Sequence, residues 1–344
     1  MPSDYGYINA RIKGQHSRLL AGGTYHELLE LPDFPAFAKW LEASPYTADW
    51  QLAKARYDGL EAAEWAFENN FSGTTKLLLK VSEGAPGHLI KLLLRRWDLA
   101  NLLAVVRGIA LDWAGAEIAK SLWPAGSLDP VRLKELAEQR TLRAVADTLA
   151  TWGDGFAQPL GACLDRYQRD KELGMVELAL QQFYYRQAFR ELRGIGHNKG
   201  LIREIFRREI DLANAKALRR LLTKKDLTAV AAQAYGIAGG AVLTPQVFAG
   251  LADPKSRART LRALRTTPYH ALLSGGDAVE LEARFDRAFW AECATLYRQR
   301  PLEIDVVVGY LWQKYYELVN LRLLARAKYY GLPADAVRQQ LFLA

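Results

Sequence analysis

Arg95-Arg96-Trp97-Asp98-Leu99-Ala100-Asn101, with Arg107 six residues on, is a stretch that this chain writes three times. Arg208-Glu209-Ile210-Asp211-Leu212-Ala213-Asn214 ends on Arg220, and Lys314-Tyr315-Tyr316-Glu317-Leu318-Val319-Asn320 ends on Arg326. Each copy reads base, acid, Leu, small residue, Asn, then Arg. A pattern that recurs at wide spacing marks one supersecondary unit used repeatedly. Such a chain suits a scaffold or adaptor better than an enzyme built around one cleft.

The copies agree beyond this stretch. Glu61, Glu177 and Glu280 precede the three asparagines by 40, 37 and 40 residues, with Leu60, Val176 and Val279 beside them. Ser44-Pro45-Tyr46 matches Thr267-Pro268-Tyr269, and Leu128-Asp129-Pro130 resembles Leu243-Thr244-Pro245. The shared order divides the chain into three parts: 1–125, holding an N-terminal segment and the first unit, then 126–241 and 242–344.

The periodicity predicts an all-α protein. Leu89, Leu93, Trp97, Ala100 and Ala104 follow three- and four-residue steps. Leu92, Leu99, Leu103, Val106 and Ala110 form a second stripe, so this helix is buried between neighbours. Val306-Val307-Val308 is the one β-branched run, and it leads directly into a helical pattern. Gly84, Pro86 and Gly87, the segment from Gly194 to Gly200, and Arg300-Pro301 break the helices between each repeated Glu and its Asn. Each unit reads as two long antiparallel helices preceded by smaller ones.

Arg95, Asp98 and Asn101 are three residues apart and adjoin on one polar helix face. Burying that face demands partners. Glu61, Glu177 and Glu280, on the antiparallel helix, are candidates to close a polar clasp over it, unless the face lines a shared concave surface instead. The terminal arginine lies nine residues after the acid, about half a turn round the helix. Arg107, Arg220 and Arg326 are therefore candidate contacts to a neighbouring unit or a partner.

Composition excludes several classes. The chain has 344 residues, half of them hydrophobic, and a net charge of +8. Its two cysteines, Cys163 and Cys293, are too few for a disulfide framework, which fits a reducing compartment. No secretory signal opens the chain, and Leu99–Ala114, its most apolar run, is interrupted by Arg107 and Asp112. The five histidines are scattered, without metal spacing. Gly194, Gly196 and Gly200 miss the dinucleotide spacing and follow a helical pattern, and neither a phosphate-cradling loop nor a Gly-x-Ser-x-Gly elbow occurs. Neither cofactor nor catalytic residue is expected.

The opening Tyr7-x-Asn9-Ala10-Arg11-Ile12-Lys13, the close Glu317 to Arg326 and the following Tyr330-Gly331-Leu332-Pro333 together resemble the C subunit of A/V-type rotary ATPases, whose counterpart in V-ATPases is the d subunit. The resemblance covers essentially the whole chain; copy two departs from it at Ala215-Lys216-Ala217. It implies a non-catalytic funnel of three pseudo-symmetric helical units. Such a protein takes the central shaft subunits on one face and sits with the other on the membrane proteolipid ring. It would be peripheral, on the cytoplasmic side, touching the membrane only through the ring, without nucleic acid. The residues alone leave another reading open: a basic α-helical module that binds nucleic acid, with Arg and aromatic side chains interleaved.

Overall fold

In the computed structural model, residues 5–222, 228–269 and 278–343 are described; the side chains of 219–222, 278, 279, 281 and 282 lie outside the description. The described residues form helices and connecting turns, with no strand among them. Among the described residues five helices are long: Gly59–Val81, Gly84–Ala110, His197–Leu222, Ala278–Gln299 and Asp305–Tyr330, with Leu173–Glu191 slightly shorter. Val306-Val307-Val308 opens the Asp305–Tyr330 helix and is fully buried there.

Local chemistry sets the ends of the short helices. Asp33, Asp129, Thr141 and Thr228 each accept a hydrogen bond from the backbone N–H three residues on, the usual way to satisfy a helix's first free donors. Pro35, Pro130, Pro245 and Pro254 stand in first turns, where the missing N–H costs nothing. Gly331, at φ 66°, ends the Asp305–Tyr330 helix in the left-handed region.

Two compact units partition the chain: residues 1–94 with 286–344, and residues 95–285. In the first, the Asp305–Tyr330 helix packs along Gly59–Val81, and the N-terminal helix Tyr5–His16 lies against both. Its core stacks Phe37, Tyr46 and Phe67 edge to face, with Leu311, Leu318, Leu321 and Leu324 fully buried. Gly309 lets Asp305–Tyr330 touch the backbone of Cys293 and Tyr297; a Cβ there would overlap it. In the second unit, Tyr184, Tyr185 and Phe206 interlock between Leu173–Glu191 and His197–Leu222. A further cluster gathers Ala215, Leu218, Leu243, Phe248, Leu264 and Tyr269.

Candidate functional site: three polar brackets

The repeated motif is buried. Asp98, Asn101, Asp211, Asn214, Glu317 and Asn320 are each at most 3% exposed, so every polar atom needs a partner. The asparagines find theirs in one way. Asn101 donates to the Trp123 carbonyl at 2.7 Å and accepts from its N–H at 2.8 Å. Asn214 does the same with Ile237, both at 2.8 Å, and Asn320 with Phe342, at 2.8 and 2.9 Å. The sequence separations are 22, 23 and 22 residues. A side-chain amide copies the donor–acceptor pair of a peptide, so each Asn pins the returning chain as a strand neighbour would.

The acids of the first two copies hold the loop that follows. Asp98 accepts from the N–H groups of Ser127 and Leu128 at 3.0 and 2.9 Å and from the Ser127 hydroxyl. Asp211 accepts from the N–H groups of Val242 and Leu243 at 3.0 and 2.8 Å. Gly126 and Gly240 pass so close to these carboxylates that a Cβ on either would overlap the acid. Glu317 turns elsewhere. It takes the N–H of Leu20 at 2.6 Å and the Tyr46 hydroxyl at 2.6 Å. The N-terminal segment thus gives the third acid the donors that a downstream loop gives the other two.

The basic residues of the first and third motifs sit by an aromatic residue. Lys314 lies over the Tyr46 ring at 4.6 Å and donates to its hydroxyl and to Glu317 at 2.9 and 2.6 Å. Arg95 lies over Phe156 at 5.2 Å and reaches Asp154. The charge of Arg208 acts on Tyr269, whose hydroxyl bonds to Asp211. Burial raises the Asp98 and Asp211 pKa values, and the donated hydrogen bonds pull them part-way back. Burial and then the Glu317 charge hold the Tyr46 phenol far above its ordinary range.

The hydrogen bonds of the asparagines thus run to downstream loops rather than to the repeated glutamates. Glu61 and Glu280 stand exposed in the first turns of their helices, where the helix dipole favours an acid. Glu177, half-buried, meets Arg107 at 2.5 Å. Arg326 meets Glu64, one turn after Glu61, at 2.5 Å. Arg107 and Arg326 remain 53% and 49% exposed. The side chain of Arg220 lies outside the described residues. Nothing in the repeated pattern marks Phe156, Gly126, Gly240 or Glu64. The matched pieces outside the motif, Tyr46 with Tyr269 and Leu128 with Leu243, are contact points of the brackets.

The model of the ATP synthase (C/AC39) subunit family matches residues 8–340. The chain belongs to that family. It is 28% identical to the C subunit of the V-type ATP synthase of Deinococcus radiodurans, over 99% of this chain and 92% of the relative. It is 27% identical to the C subunit of the A-type ATP synthase of Haloquadratum walsbyi, over 97% of each. The C subunit of the A-type ATP synthase of Haloferax volcanii is 28% identical, over 98% of this chain and 97% of the relative. In this C/AC39 protein no described helix is long and apolar enough to cross a membrane. Among the described residues no three His, Cys, Asp or Glu side chains gather as a metal site. The bracket carboxylates and amides are hydrogen-bonded to the chain's own groups.

Proposed function

We propose that this chain is a non-catalytic central-stalk subunit of an A/V-type rotary ATPase, passing torque between the shaft subunits and the membrane proteolipid ring. It would lie on the cytoplasmic face as a peripheral component. The observation that carries the reading is the reuse of one bracket at Asn101, Asn214 and Asn320, in a chain of the C/AC39 family. One bracket used three times suits three pseudo-equivalent units, near residues 1–125, 126–241 and 242–344, set as a funnel around a shared axis. A rotor element must resist shear without doing chemistry, and buried, fully bonded brackets give that stiffness. Arg107 and Arg326, half-exposed beyond their ion pairs, and Arg220 are the proposed partner contacts.

The test is paired. The wild-type protein, expressed with the other members of its complex, should co-purify with shaft and ring components. Reversing Arg107, Arg220 and Arg326 together should weaken assembly and separate ATP hydrolysis from ion transport in reconstituted vesicles, while the detached head still hydrolyses ATP. A wild-type chain that joins neither shaft nor ring ends this reading. Normal pumping by the triple variant moves the contact surface elsewhere.

A further inference from the structure

The C-terminal half of the Leu173–Glu191 helix carries a stripe that the brackets do not use. Arg186 and Arg190, one turn apart, reach the surface, and Arg193 follows just past the helix end, exposed as well. None of the three makes an ion pair among the described residues. The nearby carboxylate of Glu191 is engaged by Gln187 at 3.1 Å. Two grooves flank the stripe, and both are walled by Arg186 and Arg190. One, of about 440 Å³, has Gln158 and Phe183 in its lining; the other, of about 600 Å³, has Gln182 and Phe189. Ile195, fully exposed, stands beyond Arg193.

Spacing and shape choose the occupant. Arg186 and Arg190 stand about 6 Å apart along the helix axis, given a rise of about 1.5 Å per helical residue, and Arg193 continues the basic face past the helix end. A single phosphate spans one such position. Single-stranded RNA stacks its bases on free aromatic rings, whereas Phe183 is already engaged with Phe156 at 5.3 Å and Phe189 lies against Gly239. A helix with carboxylates one turn apart can meet Arg186 and Arg190 in bidentate fashion, with Arg193 close by beyond the helix end, and its flanking aliphatic side chains fill the grooves. We propose that the Arg186–Arg190–Arg193 face docks an acidic α-helix of a neighbouring protein in the complex. This rests on the reading of the chain as a member of a multisubunit rotary assembly.

The experiment uses the full chain and a labelled synthetic helical peptide with glutamates at i, i+4 and i+7 among leucines and alanines. Fluorescence anisotropy should show saturable binding that weakens as salt rises. R186E/R190E should lose at least tenfold in affinity, and R186K/R190K should fall between, because lysine lacks the bidentate fork. Circular dichroism melts should coincide, since the substituted side chains reach solvent. Equal affinity of the wild type and R186E/R190E overturns the proposal, as does tighter binding of polyuridylate than of the peptide through the same arginines. Co-purification separates the two readings. Wild-type assembly that R186E/R190E reproduces fully sinks this docking face alone; failure of the wild type to join shaft or ring sinks the stalk reading.

Discussion

The side-chain amide of Asn214 and the backbone of Ile237 exchange two hydrogen bonds, each 2.8 Å long, 23 residues apart in sequence. A third bond runs from the same amide to the Leu243 carbonyl. Asn214→Leu leaves at least two buried backbone groups without partners, at about 1–3 kcal/mol each. Denaturant unfolding should show a loss of about 3 kcal/mol with an unchanged slope. Near-neutral behaviour would mean that water reaches this site and replaces the amide.

Gly126 and Gly240 predict a different cost. A methyl group at either overlaps the carboxylate it passes, so G126A and G240A should each lose about 1–3 kcal/mol by forcing the loop off its acid. Gly73, exposed inside Gly59–Val81 with open space around it, is the control. G73A should gain about 0.5–1 kcal/mol from better helix propensity. Thermal melts of the three variants rank them directly, and the same sign for all three would exclude the steric account.

Buried and exposed ion pairs should part company. Glu317→Gln strands the ammonium of Lys314, whose side chain is 9% exposed, beside a neutral amide, and should cost about 3 kcal/mol or more. Arg107→Ala breaks an ion pair whose arginine side chain is 53% exposed and should cost about 0–1 kcal/mol. Comparable losses in chemical unfolding would show that the Glu317 network is wetter than its burial suggests.

His16 stacks on Tyr297 at a centroid distance of 3.8 Å and bonds to Gln313 at 3.1 Å. Burial is the largest influence and lowers its pKa; the Arg298 charge lowers it further, while Gln313 and the Glu317 charge act the other way. A lowered folded pKa means that the unfolded chain binds the proton first as pH falls. The stability from neutral His16 is therefore present above about pH 6.5, the ordinary value, and is lost as pH falls through the folded pKa. H16F keeps the stacked ring without the titration. The stability difference between wild type and H16F should shrink from pH 8 to pH 5; a pH-independent difference refutes the assignment. Asp98 and Asp211, with raised pKa values, act in the opposite sense, stabilising more as pH falls, and cancel in this comparison.

The helical class and the positions of the repeated Asp, Glu and Asn could be read from the chain, because a helix writes its burial into the sequence at three- and four-residue steps. Leu311, Leu318, Leu321 and Leu324 announce a buried face by spacing alone. The partners of the polar residues could not be read in that way. Asn101 and Trp123 are joined through a backbone N–H and carbonyl, which every residue but proline carries, so Trp123 bears no compositional mark of the role. Gly126 did carry a mark, its missing Cβ, but only the approach of Asp98 gives that absence a meaning.

By itself, the sequence determined an all-helical chain with one motif used three times, and it held the pattern that places it in the C/AC39 family. Tertiary structure alone decided that Glu317, late in the chain, is satisfied by Leu20 and Tyr46 near its beginning. The reason is physical. Periodicity is a local property, fixed by the turn of about 100° between neighbouring helical residues. A hydrogen bond across 297 residues is fixed only when packing brings the two segments together, and no short stretch of sequence contains that distance.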